Sequence, residues 1–260
     1  MHISEVNRQK VVVIIQARTG STRLSNKVLH EIKGKTVLEH VIARMQKCDN
    51  VDEVIVATTI EKNDLSIVKL CAEKGIRVYC GSENDVLDRY YQAARLFSAD
   101  HIVRITADCP MHDYRMVEQV INEHLEKKVD YTSNTLEETF PDGLDTEVFR
   151  FSALEVAWKK ARLASEREHV TPYIKKCEDM SRHSIVSDIN YNSERWTIDT
   201  PEDEQFIREI FDRLYDSDPI FGMKQILDVE EKNPHLKEIN KNIMRNEGLY
   251  KSLANDYYVD

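Results

Sequence analysis

The stretch that decides the fold is Val11-Val12-Val13-Ile14-Ile15-Gln16-Ala17-Arg18-Thr19-Gly20-Ser21-Thr22-Arg23-Leu24-Ser25-Asn26-Lys27-Val28-Leu29. Its first five residues are all β-branched and apolar. Such a run is typical of a strand covered on both faces in a parallel sheet, and it is too short to indicate an independent helix. The polar residues that follow predict a loop. Because open α/β sheets bind ligands at the carboxyl ends of their strands, we expect the chemistry of this protein to begin in that loop.

The loop has the composition of an anion-binding site. It carries three cations, Arg18, Arg23 and Lys27, together with a glycine and hydroxyl residues. Guanidinium groups match phosphate oxygens bidentately, and hydroxyl groups donate hydrogen bonds to them. Gly20 permits a positive φ and a close approach of the backbone. The expected ligand is a phosphate chain, and a solvated arginine-rich turn is the alternative for any single Arg.

Two common phosphate-binding motifs do not fit this loop. It contains one glycine, and Lys27 is followed by Val rather than by Ser or Thr. The sequence therefore matches neither the Walker pattern nor the glycine-rich dinucleotide fingerprint. The ATPase and dehydrogenase interpretations lose their main support.

Length and composition bound the class of protein. The 260 residues, 41% of them hydrophobic, are enough for one large α/β domain or one domain with an appendage. A net charge of −10 argues against a nucleic-acid-binding surface. No apolar run approaches the roughly 20 residues that span a bilayer, and no cationic, apolar leader opens the sequence. Five scattered cysteines favour reduced thiols. We expect a soluble, cytoplasmic protein without nucleic-acid or membrane partners.

Strand and helix patterns alternate after the loop. Helices are predicted at 37–47, 64–74, 86–97 and 114–126, and strands at 54–59, 76–79 and 101–106. This alternation predicts an α/β fold with a mostly parallel, twisted sheet and helices on both faces. Beyond residue 129 the pattern becomes irregular, with a loop and strand at 136–149, helices at 152–161 and 166–175, possible strands at 184–187 and 196–198, and helices from 201 and at 223–231. From residue 233 onward the chain is polar, and we expect it on the surface.

The loop resembles the signature of a known family. The run from Ile14 to Leu24, followed by Lys27-Val28-Leu29, is similar to the first loop of the cytidylyltransferases that activate sugar acids, such as the CMP-KDO and CMP-acylneuraminate synthetases. Gln16, where those enzymes usually carry Pro, resembles the spore-coat polysaccharide group called SpsF. Where the family usually carries Pro-Gly, this chain has Ser25-Asn26.

This resemblance implies a fold and a reaction. The fold is a Rossmann-like nucleotidyltransferase domain at 1–221, with an acceptor and dimerisation insertion at about 134–190 and a C-terminal helical extension at 222–260. In the reaction, the hydroxyl of a sugar acid attacks the α-phosphorus of CTP and pyrophosphate leaves, in a Mg²⁺-dependent homodimer. The catalytic cations are Arg18, Arg23 and Lys27. The implied nucleotide-binding residues are Ala17, Arg18, Gly20, Ser21, Thr22, Arg23, Lys27 and Arg89.

Two aspartates are the implied metal ligands. Asp108 follows the strand predicted at 101–106, and Asp199 follows the one predicted at 196–198. Magnesium prefers a few carboxylates together with phosphate oxygens. Each residue also has a simpler interpretation, Asp108 as a turn or cap residue and Asp199 as the N-cap of the helix that Pro201 begins.

The segments 141–147 and 167–173 resemble the acceptor half of the SpsF-like pattern. The resemblance implies that Arg167 or His169 holds the carboxylate of the sugar acid and that Asp145 and Glu147 contact its hydroxyls. A structural hydrogen bond at a helix start is an equally open interpretation of His169. Arg89 has its own alternative, which is an ion pair with the residue four positions earlier on the helix.

Two other functions fit the same loop. A glycosyltransferase with a related nucleotide fold would use a sugar nucleotide, but it usually shows an Asp-x-Asp motif where this chain has Asp108-Cys109-Pro110. A nucleotide-binding regulator would keep the loop without the reaction. Release of pyrophosphate from a nucleoside triphosphate separates these alternatives from cytidylyl transfer.

Overall fold

Strand β1 (Val11–Gln16) lies in the middle of the sheet in a computed structural model that describes residues 8–21 and 23–259. Its first five residues are buried. Its odd-numbered residues pack into one hydrophobic core and its even-numbered residues into another. The prediction of a strand covered on both faces is confirmed.

The remaining strands and helices follow β1 in this order: β2 (Glu31–Ile32), β3 (Lys35–Thr36), α1 (Val37–Met45), β4 (Glu53–Thr59), α2 (Leu65–Glu73), β5 (Arg77–Gly81), α3 (Val86–Leu96), β6 (His101–Thr106), α4 (Tyr114–Lys127), β7 (Tyr131–Ser133), β8 (Glu147–Arg150), α5 (Phe151–Lys160), α6 (Ala164–His169), α7 (Pro172–Lys176), β9 (Arg182–Ser184), α8 (Pro201–Leu214), α9 (Met223–Lys232) and α10 (Glu247–Ala254). Short 3₁₀ turns lie at Lys27–Leu29, Lys62–Asp64 and Pro234–Glu238. The alternation predicted for residues 11–127 is confirmed.

The main sheet has seven strands in the order β5-β4-β1-β6-β8-β7-β9. The first four in that order pair in parallel, as do β7 and β9. Strand β8 runs antiparallel to both of its neighbours. The predicted class, a mostly parallel sheet, is therefore confirmed, and the reversal comes where the sequence pattern becomes irregular.

Helices cover both faces of the sheet. On one face, α1, α2 and α4 contribute Val41, Ile67 and Val117 to the core, and on the other, α3 and α5 contribute Leu87 and Leu154. A third core forms between α8, α9 and the chain that precedes α8. All of these side chains are fully buried, and their burial is the main favourable contribution to the stability of the layers.

The strands predicted at 184–187 and 196–198 differ from those in the structure. The strand expected at 184–187 is β9, which ends at Ser184. The segment expected as a strand at 196–198 is not part of the sheet. Two separate backbone hydrogen bonds hold it in place instead. Trp196 N donates to Asp142 O at 2.6 Å, and Ile198 N donates to Asp108 O at 2.9 Å. The second bond has a functional consequence because it places the next residue, Asp199, beside Asp108.

One helix predicted from the sequence is two helices in the structure. The helix expected at 166–175 divides into α6 and α7 because Pro172, which lacks an N–H and begins α7, does not continue a preceding helix.

Residues 245–259, which we call the strap, contain α10, a helix with no buried residue. The strap lies on the surface, as predicted for this polar segment. None of the described helices is long and apolar enough to cross a membrane.

Candidate active site

A pocket of about 380 Å³ opens where β1 and β6 end. It is lined by the loop after β1, by the residues after β6, and by α3, α6 and the strap. Ten residues predicted for the site line it: Ala17, Arg18, Gly20, Ser21, Arg23, Lys27, Arg89, Asp108, His169 and Asp199. The fold therefore brings together residues that are up to 182 positions apart, from 17 to 199. Thr22, also predicted, lies outside the described residues.

Lys27 is the centre of this arrangement. Its Nζ donates to Asp108 Oδ2 at 2.6 Å, to Asp199 Oδ1 at 2.7 Å and to the carbonyl of Ile198 at 2.8 Å. Arg23 Nη2 lies 2.9 Å from the same Asp199 oxygen. Two cations of the loop thus meet two carboxylates that are 81 and 172 residues away from Lys27 in the sequence. Because Lys27 is 8% exposed, these charges interact with little screening by solvent.

The protonation of this cluster follows from its charges. Burial acts to raise the pKa of Asp108, but the Lys27 ammonium outweighs it and lowers that pKa to about 2. Burial likewise acts to lower the pKa of Lys27, and the charges of Asp108 and Asp199 raise it above its ordinary value. Lys27 is therefore charged, and Asp108 is ionised, at neutral pH. An ionised carboxylate is the form that binds a cation.

A second set of contacts orients Asp199. The guanidinium of Arg195 donates to Asp199 Oδ2 at 2.8 Å, to Asp142 Oδ2 at 2.6 Å and, through Nε, to Asp203 Oδ1 at 2.9 Å. The alternative role of Asp199 as a helix cap is wrong, because Thr200 caps α8. Sequence reasoning did not find Arg195. Its signal was an arginine four residues before a candidate metal ligand.

The loop after β1 is held by its own polar residues. Thr19 donates to Asp64 Oδ1 through its backbone N at 2.7 Å and its hydroxyl at 2.6 Å. Asn26 adopts the left-handed conformation, with φ 55°, which Asn tolerates better than most residues. Gly20 does not have a positive φ, so the conformational role predicted for it is wrong. A side chain at Gly20 would approach Glu83 Oε1 at 3.2 Å.

Two further arginines line the pocket on the side of α3. Arg18 is the more open, with its side chain 43% exposed and its guanidinium 3.8 Å from Glu83. Arg89 is 2% exposed and donates through Nη1 to Ser82 O at 2.9 Å. Its side chain does not pair with Asp85, which was the alternative for this residue, because Asp85 binds Arg167. The buried Arg89 Nε has no hydrogen-bond partner among the described residues, so this cation keeps a free donor.

The structure corrects the prediction for Glu147. Its side chain is 4% exposed, and it accepts from Tyr131 at 2.5 Å and from Thr171 at 2.7 Å. Arg104 and Lys175 complete the set with ion pairs at 2.5 and 2.9 Å. Since both carboxylate oxygens are engaged and Glu147 does not line the pocket, direct contact with an acceptor hydroxyl is excluded in this conformation. Glu147 joins β8 to α7.

Two other predicted acceptor residues also lie outside the pocket lining. Arg167 donates through Nε to Asp85 Oδ2 at 3.0 Å and through Nη1 to Trp158 O at 2.8 Å, on the outer side of α3. Asp145 accepts from Arg245 Nη2 at 2.8 Å. Their contact with an acceptor stays a prediction, because both are occupied by neighbours within the chain.

His169 is the predicted acceptor residue that lines the pocket. Its Nε2 lies 3.0 Å from the hydroxyl of Ser252 in the strap, and burial lowers its pKa. The next residue, Val170, has φ 70° and ψ −55°, and Thr171 N donates back to His169 O at 2.8 Å. This is a γ-turn of the strained hand, which a β-branched residue rarely adopts. Such strain is typical of functional sites, where it fixes the direction of a side chain.

The part of the lining that the sequence did not predict comes mainly from the strap. Its residues Glu247, Gly248 and Lys251 face the loop across the pocket, and Glu247 Oε2 accepts from Arg23 Nη1 at 2.9 Å. A short surface helix more than 200 residues away from the loop carries no local signal of such a role. The other unpredicted lining residues are Gln16, Val28, Val86, Thr106, Ala107 and Glu168.

The carboxylate pair fits a magnesium ion that shares its coordination with phosphate. Among residues 8–21 and 23–259, no group of three His, Cys, Asp or Glu side chains converges to hold a metal by itself. Magnesium in phosphoryl-transfer sites usually takes one or two carboxylates and completes its shell with phosphate oxygens and water. Asp108 and Asp199 converge on one cationic atom, Lys27 Nζ, so they can share a cation.

Fold and site together define a class of protein. A cationic loop after the first strand of a parallel sheet, opposed by two aspartates that converge on one point, is the arrangement of a nucleotidyltransferase. Comparison with known proteins makes the class specific. The cytidylyltransferase family profile matches residues 12–243, and this chain belongs to that family. It is a CTP-using nucleotidyltransferase.

Three relatives and one solved structure place the chain within the family. It is 42% identical over 240 residues to an uncharacterized protein of Methanocaldococcus jannaschii, covering 90% of this chain and 96% of the relative. It is 28% identical over 232 residues to the spore coat polysaccharide biosynthesis protein SpsF of Bacillus subtilis, covering 86% and 95%. A 3-deoxy-manno-octulosonate cytidylyltransferase of Geotalea daltonii is 36% identical over 115 residues, 44% of each chain. The structure of a cytidylyltransferase from Leptospira borgpetersenii superposes with a TM-score of 0.84 at 31% identity, covering 91% and 98%.

Proposed function

We propose that this protein transfers CMP from CTP to a hydroxyl of a sugar acid, giving a CMP-sugar and pyrophosphate, for the synthesis of a surface polysaccharide. The observation that carries the proposal is the position of Lys27 Nζ between Asp108 and Asp199, with Arg23 beside it. Relatives named for spore coat polysaccharide biosynthesis and for 3-deoxy-manno-octulosonate cytidylyl transfer support the acceptor class.

The loop cations act on the leaving group in this proposal. Phosphoryl transfer depends mainly on positioning and on neutralising charge. Arg18, Arg23 and Lys27 contact the triphosphate, and they stabilise the charge that develops on pyrophosphate as the bond to the α-phosphorus breaks. To do so, Lys27 and Arg23 move from the aspartates to the phosphates.

Asp108 and Asp199 hold Mg²⁺ in this proposal. Once bound, the ion neutralises phosphate charge and polarises the phosphoryl group. Arg195 keeps Asp199 in place because it binds that carboxylate through the oxygen that Lys27 does not contact. Asp199 would thereby keep a fixed orientation toward the position that Lys27 Nζ now occupies.

We further propose that the protein is a cytoplasmic homodimer, with residues 134–190 as its dimerisation segment and residues 222–260 as an extension of the 1–221 domain. Val186 and Ile189 support the dimer because they are 50% and 60% exposed apolar side chains within that segment. Sedimentation analysis of the parent and of Val186→Glu tests it. A parent that sediments as a monomer contradicts the dimer.

A screen for pyrophosphate release tests the proposed reaction. CTP, UTP, ATP and GTP are each incubated with candidate sugar acids, with Mg²⁺ or with EDTA. We expect pyrophosphate release from CTP in the presence of Mg²⁺. The rate of that release should fall about 10²-fold or more in Asp108→Asn. Asp212→Asn is the matched control, since Asp212 is a 67% exposed carboxylate that binds Lys33. Release of a nucleoside diphosphate from a sugar nucleotide would indicate a glycosyltransferase instead, and binding of CTP without turnover would indicate a regulator.

A further inference from the structure

The strap is fastened at both ends and crosses the mouth of the pocket. At its start, Arg245 donates to the carbonyl of Phe140 at 3.0 Å and to Asp145 at 2.8 Å. At its end, Asp256 accepts from the backbone N of Ser165 at 2.9 Å and from its hydroxyl at 2.6 Å. Between these anchors, α10 lies against α6. These fixed ends hold α10 over the pocket.

The helix between the anchors presents polar groups to the pocket. Ser252 links it to α6, because its hydroxyl donates to Glu168 at 2.7 Å and lies 3.0 Å from His169 Nε2. The neighbouring residue Lys251 places its Nζ 2.5 Å from Glu247, one turn earlier in α10, and the other oxygen of Glu247 binds Arg23. The charges therefore alternate from Lys251 through Glu247 to the loop. The strap is thus connected to the phosphate-binding cations by direct ion pairs.

The wall of the pocket that α6 and α10 form lies where the acceptor is expected. In an in-line transfer, the attacking hydroxyl and the leaving pyrophosphate lie on opposite sides of the α-phosphorus. The loop after β1 holds the leaving group in the proposed function, and α3 lines the pocket beside the loop. Besides Gln16 and Thr106 of the strands and the two aspartates of the proposed metal site, the polar side chains that line the pocket outside the loop and α3 come from α6 and α10. A sugar acid is therefore expected at the wall that these two helices form.

Lys251 is the cation of that wall. Among the described lining residues, it is the one Lys or Arg that comes from outside the loop and α3. Its side chain is 66% exposed and has one carboxylate partner, Glu247. Exposed ion pairs of this kind are weak, and an ammonium group has three donors, so Lys251 can bind a second anion.

We propose that Lys251 binds the carboxylate of the acceptor and that the strap determines which acceptor the enzyme takes. The inference rests on the proposed function and goes beyond it, because the family profile ends at residue 243 and so does not include the strap. The strap replaces the acceptor contacts that Glu147 does not make. When CTP takes Arg23 from Glu247, Lys251 binds the acceptor carboxylate in the pocket that Glu247 and His169 also line.

Steady-state kinetics of two variants tests this inference. In the parent, we expect pyrophosphate release from CTP with at least one 2-keto-3-deoxy sugar acid and not with the corresponding neutral sugars. Lys251→Gln raises the KM for that acid at least tenfold and changes the KM for CTP less than twofold, while Lys251→Arg restores the KM for the acid to within threefold. Lys241→Gln is the control, since Lys241 is a 51% exposed lysine paired with Glu238 outside the pocket.

Three outcomes would overturn the inference. They are turnover of neutral sugars but not of acids, an unchanged KM for the acid in Lys251→Gln, and an equal rise in both KM values. The first also contradicts the acceptor class of the proposed function, although transfer from CTP remains, whereas an unchanged KM for the acid in Lys251→Gln leaves the proposed function intact. If no acceptor leads to release of pyrophosphate from CTP, the proposed function is wrong. Calorimetric titration of 3-deoxy-manno-octulosonate into the parent and into Lys251→Gln then tests separately whether Lys251 binds the acceptor. Equal binding, or none to the parent, overturns the inference.

Discussion

The loop and the strap line the same pocket, but the protein holds them in different ways. Lys27 in the loop has a side chain that is 10% exposed and contacts two carboxylates and a carbonyl. Lys251 in the strap has a side chain that is 66% exposed and contacts one carboxylate. Charges in the first setting are strongly coupled, and those in the second are screened by water. This difference suits a loop that performs an invariable reaction and a strap that adapts to an acceptor.

The comparison predicts the largest effect at Lys27. In Lys27→Met, two carboxylates lose their shared cation and the triphosphate loses a ligand, so kcat/KM for CTP should fall about 10²- to 10³-fold. Lys241→Met removes an exposed lysine and should change it less than twofold. Pyrophosphate release is the measurement. Lys27→Arg keeps the charge and provides the test if Lys27→Met does not fold. If kcat/KM for CTP falls less than fivefold in both Lys27→Met and Lys27→Arg, the buried contacts of Lys27 are only structural.

Two glycines extend the comparison to stability. Gly143 has φ +107°, and a Cβ there would lie 2.7 Å from the backbone of Trp196. Its loop supports both regions, because Asp142 binds Arg195 and the carbonyl of Phe140 binds the strap. Gly143→Ala should lower the free energy of unfolding by about 3 kcal/mol, from backbone strain and overpacking.

Gly248 in the strap is the matched control. It has no atom within 4 Å of an added Cβ and lies in the first turn of α10. Gly248→Ala should leave the free energy of unfolding unchanged or raise it by up to about 1 kcal/mol, because Ala favours helix. Urea denaturation measures both variants. Equal effects of the two substitutions would show that the strap is as tightly packed as the centre.

The ion pairs of the loop predict a dependence of stability on pH. The pKa of Asp108 is about 2 in the folded protein, below its ordinary 3.8, so the folded state favours the ionised carboxylate. Its contribution is present above pH 4 and is lost as the pH falls toward 2. The shift corresponds to about 2 kcal/mol. Between pH 5 and pH 2.5, the parent should lose about that much more stability than Lys27→Met in urea titrations. Parallel losses in the two proteins would exclude the coupling.

The sequence predicted the loop side of the site well because its signals are local. Five β-branched residues indicated β1, and the cations after it indicated an anion site at its end. The nearness of Asp108 and Asp199 came from family resemblance, since no local pattern shows that Ile198 bonds to Asp108 O. The fold confirms their convergence, although the strand expected at 196–198 does not form.

The strap side was not predictable for physical reasons. Its short helix carries Leu249, Tyr250 and Leu253 but buries no residue, so its apolar side chains do not indicate what it contacts. Glu147 shows the opposite difficulty. A carboxylate that binds two hydroxyls and two cations cannot be distinguished, in sequence, from one that awaits a ligand. In both cases the decisive contacts join segments far apart in the chain.

The smallest expected effect lies where the two regions meet. Glu247 accepts from Arg23 Nη1 at 2.9 Å, and in the proposed function that donor binds the triphosphate. Glu247→Gln removes the competing charge, so the KM for CTP should fall about two- to fourfold. Because Lys251 also loses its partner, the KM for the acceptor should fall in the same variant. Glu238→Gln, at an exposed carboxylate paired with Lys241, is the control. A rise in the KM for CTP would show instead that Glu247 holds Arg23 in the position that binds phosphate, and the strap would then assist the loop rather than compete with it.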